Sequence, residues 1–395
     1  MKEVYIVSMA RTPIGNLSGM YSKLTAIDLG SKAMKAAVER AGIKADQVQE
    51  VFMGNVLQAN VGQAPARQAA IAAGLSMNVP CTTVNKVCAS GMKAVIFGAQ
   101  SIMLGDNDIV VVGGMESMTQ SPHYIPSGRS GIKYGNGQII DAIVRDGLQD
   151  PYDGSMMGTC GEVCSEGDNI SRDEQDEYAF ESYRRAREAT ANGWMKDEIV
   201  AVEIPQRKKA ALVITADEEL GNKRIQTVED MKRLRSVFKK DGTVTAGNAS
   251  KINDGGAAMV LMSKEKAEEL GVKAIAKIVS YADAAQEPVW FTTTPALAMP
   301  KALKKAGLTM DDMDAFEINE AFSVVAIANM KRLDLDHSKV NVFGGAVSMG
   351  HPIGVSGCRI LITLMSVLKH KSGKLGLAGI CNGGGGASAM CIEMV

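Results

Sequence analysis

The chain repeats itself. Glu39-Arg40-Ala41-Gly42-Ile43, then Asp46 and Val51-Phe52-Met53, returns 265 residues later as Lys304-Lys305-Ala306-Gly307-Leu308, Asp311 and Phe316-Glu317-Ile318. At a separation of 266, Ser90-Gly91-Met92-Lys93 corresponds to Ser356-Gly357-Cys358-Arg359, and Ile109-Val110-Val111-Val112-Gly113 to Leu375-Gly376-Leu377-Ala378-Gly379. A looser match pairs Ile6-Val7-Ser8 with Ile278-Val279-Ser280. In each half a helical pattern runs into Ala-Gly, a helix stop. A short apolar strand, a Ser-Gly helix and a buried strand follow. Apolar runs alternating with helices predict a mostly parallel sheet covered on its faces. The expectation is a duplicated α/β core.

Residues 119–246 have no counterpart in the second half. They are rich in Gly, Pro and charge, as in Ser127-Gly128-Arg129-Ser130-Gly131, which predicts surface loops. A helix is expected from about Arg172 to Asn192, with Ser171 and Glu174 as a capping box. This stretch reads as an inserted loop domain. Residues 1–118 with 247–271 then form the N-terminal core half, and 272–395 the C-terminal half.

A chain of 395 residues can bury a core without disulfides or a structural metal. Its seven cysteines are odd in number, which points to a reducing compartment; Cys160 and Cys164 read as helix or loop thiols. With 43 basic against 44 acidic residues, the net charge of -1 argues against a nucleic-acid or membrane-surface binder. Met1 to Ser8 reads as a strand rather than a signal or transit segment. No apolar run is read as reaching the ~18 residues of a membrane span. A cytoplasmic location is expected, or a mitochondrial matrix one if a leader has been removed.

Several segments could carry chemistry. Cys88 sits among small residues just before a helix, where the dipole and free N–H groups favour a thiolate nucleophile; the alternative is a small core cysteine. His351, among glycines in Gly350-His351-Pro352, enters the repeat-equivalent helix three residues earlier than Cys88 enters its own. Two pseudo-symmetric helices could thus aim both at one centre. Cys381 follows a buried strand into Asn382-Gly383-Gly384-Gly385-Gly386, whose amides could stabilise an oxyanion or form a tight turn. Asn319 and Glu320 end a repeat strand, facing a ligand crevice or capping the next helix. Gly247 to Ser250 and Asn253 to Gly256 could be a substrate contact or plain turns. The basic residues from Lys223 to Lys240 form a solvated face or hold phosphates.

Together, Asn85 to Gly91 around Cys88, Asn319-Glu320-Ala321-Phe322, Gly350-His351-Pro352 and Cys381-Asn382-Gly383 resemble the thiolase family over essentially the whole chain. The resemblance implies a five-layered αβαβα core with an inserted loop domain. It implies Cys88 as the acylated nucleophile, His351 as its activator and Cys381 as the acid/base at the α-carbon of a second acyl-CoA. Asn319 would hold a water that, with His351, forms one oxyanion hole; the amides of Cys88 and Gly383 would form the other. Coenzyme A, as substrate and product, would meet Ser250, Arg224, Phe238, Met157, Ala321, Phe322 and Tyr183, with His351 also lining its path. No tightly bound cofactor is implied.

Within the family the likeness is to the short-chain acetyl-CoA acetyltransferase branch. It rests on Pro80-Cys81-Thr82-Thr83, Gly242 to Ala246 and Ala282 to Pro288. That implies reversible condensation of two acetyl-CoA to acetoacetyl-CoA and CoA. The alternatives are cleavage of longer or 2-methyl-branched 3-ketoacyl-CoA, a decarboxylating ketosynthase, and a non-catalytic acyl-CoA-binding scaffold. The last of the branch segments, with Tyr183, resembles the potassium-activated type, implying potassium at Tyr183, Ala246, Gly247, Ala249 and Val347. A homo-oligomer is implied, a tetramer ahead of a dimer, through residues 121–137. Three positions depart from the pattern: Met156 replaces a frequent His, Lys251 a frequent Gly, and Phe291-Thr292 occupies the loop expected to shape acyl selectivity.

Overall fold

A computed structural model describes residues 1–395. The first half contributes β1 (Val4–Arg11), β2 (Glu50–Gly54), β3 (Cys81–Val84), β4 (Ile109–Ser117) and β5 (Asn253–Ser263), in the order β3-β2-β4-β5-β1. The second contributes β6 (Ala276–Ala285), β7 (Ala315–Ile318), β8 (Leu375–Asn382) and β9 (Gly386–Met394), in the order β6-β9-β8-β7. The halves join through two residue pairs between β1 and β6, Tyr5 with Lys277 and Ile6 with Ala276. With the two-residue strand Gly15–Asn16 on β5, the sheet has ten strands.

The repeat is reproduced down to its register. Met53 pairs with Gly113 in one half and Ile318 with Gly379 in the other. β1 carries an irregularity between Ile6 and Ser8, and β6 one between Ile278 and Ser280. The two serines close the same contact: Ser8 Oγ donates to the Ala37 carbonyl at 2.6 Å, Ser280 Oγ to that of Ala302 at 2.7 Å. The sheet is mixed, however, where a mostly parallel one was expected. Only β2 with β3, β2 with β4, and β7 with β8 run parallel. A glycine turn from β8 into β9 makes a hairpin, which fixes an antiparallel pair. β5 returns antiparallel to both β1 and β4.

Helices α1 (Ala26–Ala41) and α2 (Pro65–Ala72) cover the outer face of the first half. Helix α3 (Ser90–Leu104) lies inside the molecule. In the segment 119–246, α4 (Met157–Gly167) and α5 (Arg172–Ala191) are followed by a hairpin, Val202–Gln206 with Lys209–Ile214; this segment adds no strand to the main sheet. Helices α6 (Pro295–Ala306) and α7 (Ser323–Leu333) lie on the outer side of the second half, and α8 (Ser356–Lys371) packs on α3 between the two halves. The result is five layers, α-β-α-β-α. The Ala-Gly stops behave as expected: α1 ends on Gly42 (φ +67°) and α6 on Gly307 (φ +70°). The Ser171–Glu174 capping box is formed at the start of α5.

The buried layer corrects one sequence reading. Val87–Leu104 is an 18-residue stretch of mean hydropathy 1.4, long and apolar enough to span a bilayer. Here it is α3 with its leading turn, held between the two halves of the sheet, and its apolar character satisfies a protein core. The glycines of the two Ser-Gly motifs let α3 and α8 touch. A Cβ on Gly91 would lie 2.8 Å from the Cys358 nitrogen, and one on Gly357 2.4 Å from that of Met92. This contact brings the first turns of both helices to one place.

Candidate active site

Cys88 stands two residues before α3, on a turn whose preceding residue, Val87, has φ +47°. A β-branched side chain rarely adopts that conformation, and such strain gathers at functional sites. The turn is held by Ser90, whose Oγ donates to the Val87 carbonyl at 2.6 Å and accepts from the Lys86 amide at 2.8 Å. The thiol is not biased toward thiolate as the helix position suggested. Burial pushes its pKa up to about 11, and the amides of Gly383 and of Cys88 itself, directed at the sulfur, offset only part of that.

His351 is buried, and its amide donates to Asn253 Oδ1 at 2.8 Å. Ser356 Oγ donates to the Pro352 carbonyl at 3.1 Å and lies 2.6 Å from His351 Nδ1. A hydroxyl with its proton so engaged accepts from Nδ1–H, which leaves Nε2 as the proton acceptor. Nε2 lies 3.5 Å from Asn319 Nδ2. Burial, with Arg359 adding to it, pulls the imidazole pKa down to about 3, so the ring is neutral. A neutral thiol thus accompanies a neutral base.

Cys381 is fully buried and belongs to β8 itself, which continues through Asn382, rather than to the following loop. Burial raises its pKa well above that of an ordinary thiol, and Cys88 is near enough to raise it further. Asn319 does not cap α7, which has no side-chain cap. Glu320 receives hydrogen bonds from Tyr178 Oη (2.8 Å), Ser182 Oγ (2.8 Å), Asn341 Nδ2 (3.0 Å) and the Val347 amide (3.0 Å), fastening Asn319's turn to α5 and to the segment before His351.

A cleft of about 580 Å³ reaches His351 from the surface. Of the expected residues, Met157, Phe238, Ala246, Ala249, Ser250 and Phe322 line it, as does the departing residue Met156. The Ser250 amide donates to the Ala321 carbonyl at 3.0 Å, which sets that residue behind the wall. Phe238 meets Phe322 edge to face, with centroids 6.3 Å apart. Tyr183 and Val347 form a small apolar cluster with Ile225 and Met231, and Gly247 packs on Met231. Arg224 is exposed and does not line the cleft. Phe291 and Thr292, expected to shape acyl selectivity, are buried and do not line it.

Some residues of the site escaped the sequence. Glu116 accepts from the amides of Val56 (3.0 Å), Leu57 (3.1 Å) and Gly354 (2.8 Å), tying the first half to the turn after His351; burial pushes its pKa up to about 7. A lone glutamate ending an apolar strand was its only signal. Ser356 was visible as the repeat partner of Ser90. Asn253 lay in a segment read as a turn, which is the start of β5.

Residues 4–265 match the model described as thiolase, N-terminal domain, and residues 272–394 that described as thiolase, C-terminal domain. The chain belongs to the thiolase family. This thiolase is 54% identical over 394 residues to an acetyl-CoA acetyltransferase of Schizosaccharomyces pombe, covering 100% of this chain and 99% of that one. It is 56% identical to a cytosolic acetyl-CoA acetyltransferase of Gibberella zeae, covering 99% and 98%. The crystal structure of the Bacillus anthracis acetyl-CoA acetyltransferase superimposes on the thiolase with a TM-score of 0.97 at 40% identity, over 100% of this chain and 99% of that one.

Proposed function

We propose that this thiolase is an acyltransferase, an acetyl-CoA C-acetyltransferase that reversibly condenses two acetyl-CoA to acetoacetyl-CoA and CoA. One observation carries the reading: Cys88 is met by the Gly383 amide and neighbours Cys381, beside a cleft that ends on a neutral, correctly tautomeric His351. Relatives of 52 to 56% identity named for this activity support it over longer-chain cleavage or a silent scaffold.

In the first half-reaction the Cys88 sulfur attacks the acetyl-CoA carbonyl. Its proton passes to His351 Nε2 and on to the departing CoA sulfur, leaving acetyl-Cys88. Splitting the transfer this way divides one difficult step into two. The amides of Gly383 and Cys88, directed at the sulfur, would receive the carbonyl oxygen as charge develops on it. In the second half-reaction Cys381 yields its proton to His351 and takes the α-proton of a second acetyl-CoA. A thiol whose pKa is raised is a strong base once ionised, which suits a weakly acidic C–H. The carbanion attacks acetyl-Cys88, acetoacetyl-CoA leaves, and the imidazolium returns the proton to Cys88. The Asn319 amide beside Nε2 would hold a water against the enolate oxygen.

The test is thiolysis of acetoacetyl-CoA by free CoA. Cys88→Ala should lower kcat by about 10⁴-fold or more, the scale of deleting a covalent nucleophile. Equal rates in both proteins would remove Cys88 from the reaction. Faster turnover of a ten-carbon 3-ketoacyl-CoA would move the assignment to longer chains. The reading extends to a homo-oligomer through residues 121–137, where Ile125, Ile132 and Tyr134 are exposed. A monomeric mass in light scattering would remove that part.

A further inference from the structure

Lys251 follows Ser250 in the cleft wall, in a poorly hydrated place that pulls its pKa down to about 8. Its Nζ donates to the Ala249 carbonyl at 2.9 Å and lies 5.7 Å from the centre of the Tyr183 ring. The neighbouring carboxylate is Glu219, which also lines the cleft and is 4% exposed. Glu219 accepts from Tyr183 Oη (2.7 Å), Asn222 Nδ2 (2.9 Å) and Asn16 Nδ2 (2.9 Å) but has no ion pair within 4.0 Å. A buried carboxylate held by neutral donors still calls for positive charge nearby. The Lys251 ammonium answers it, steered by the ring face and fixed by the carbonyl.

These are the groups at which the thiolase resemblance implied potassium: Tyr183, Ala246, Gly247, Ala249 and Val347. Backbone oxygens would suit such an ion, but the residues here do not fit it. The Ala249 carbonyl is engaged by an ammonium, and the Tyr183 hydroxyl is engaged with Glu219. A potassium ion would add a second positive charge beside the first in a wall with little water to screen it.

We infer that the Lys251 ammonium is this protein's built-in monovalent cation, standing where a dissociable potassium ion would otherwise be needed to fix the Ala246–Ser250 turn against α5. Lys251 is a positioning residue: it holds Ser250 and the wall and touches no reacting atom. The inference leans on the proposed coenzyme A cleft only for its kinetic readout.

The experiment compares KCl with choline chloride at equal ionic strength, reading both Tm and the KM for acetoacetyl-CoA. The wild type should show the same values in both salts. Lys251→Gly frees the Ala249 carbonyl and Glu219, so KCl should raise its Tm and lower its KM by about tenfold, the scale of one hydrogen bond to a charged group. Lys251→Met fills the space without charge and should ignore KCl. A wild type whose Tm or KM responds specifically to KCl overturns the inference, as does a Lys251→Gly protein that ignores KCl or stays unfolded in both salts. If no protein turns over acetoacetyl-CoA but KCl still raises the Tm of Lys251→Gly alone, the functional reading falls and the cation assignment stands.

Discussion

Ahead of Cys88 stands Val87 with φ +47°; ahead of His351 stands Gly350 with φ +117°. Each is followed within a few residues by a Ser-Gly pair that opens a central helix. The two halves spend the serine differently. Ser90 bonds only backbone and holds the turn that carries the Cys88 thiol. Ser356 bonds backbone and imidazole and so sets the proton on His351 Nδ1. The carboxylates differ as well. The first half ties its loops with Glu116 on β4, the second with Glu320 after β7, and at the matching places stand Asn382 and Asn55. One duplicated scaffold thus aims a thiol in one half and fixes a tautomer in the other.

The sharpest way to break this contrast is Gly350→Ala. Its Cβ would lie 2.6 Å from Ile14 Cγ2 and 2.7 Å from Asn253 Cγ, at a φ that L residues avoid. Overpacking should cost about 1–3 kcal/mol in urea unfolding, and displacement of His351 about 10²-fold in kcat. A variant with full activity would show that the second half tolerates a side chain at this turn, as the first half does at Val87.

The next concerns ionisation. With Cys88 raised to about 11 and His351 lowered to about 3, the resting pair is neutral. A thiol titrating above the working range gains thiolate as pH rises, so iodoacetamide labelling of Cys88 should accelerate by about tenfold per pH unit between pH 7 and 9. A flat rate there would reveal a thiolate–imidazolium pair and a base half that tunes as well as receives.

The smallest effect is expected from Val87→Gly, which makes the first half resemble the second. Relief of the strained φ and loss of backbone restriction oppose each other, each on the scale of about 1 kcal/mol. Stability should therefore change little while kcat falls by about tenfold as the thiol loses its aim. A large drop in Tm with unchanged kcat would mean that Val87 packs rather than aims.

Much of this was legible because a repeat constrains twice. The loose match of Ile6-Val7-Ser8 with Ile278-Val279-Ser280 fell on the two strands at which the halves join, and the Ser-Gly motifs fell on helices that meet. Of the expected residues, Met157, Phe238, Ala246, Ala249, Ser250, Phe322 and His351 share one cleft, while Tyr183 and Val347 lie in the cluster beside it and Arg224 stands apart, on a loop with no motif that fixes its distance from the cleft. What stayed hidden was set by partners remote in sequence. Glu116 acts on Gly354, Asn253 on His351 and Lys251 on Tyr183 and Glu219, none of them at a periodic spacing. The thiol's ionisation was misread for a related reason: a helix start is visible locally, but the burial that outweighs its dipole comes from the whole fold.

In the second half, β9 lies between β8 and β6, so the strand that comes last fills an interior place in the sheet. During translation Cys88 therefore emerges long before His351, and Gly383 emerges just ahead of the strand that locks it in position. The Gly383 amide meets the Cys88 sulfur only once the second half is folded against the first. Acquisition of activity is thereby tied to a late step of biosynthesis.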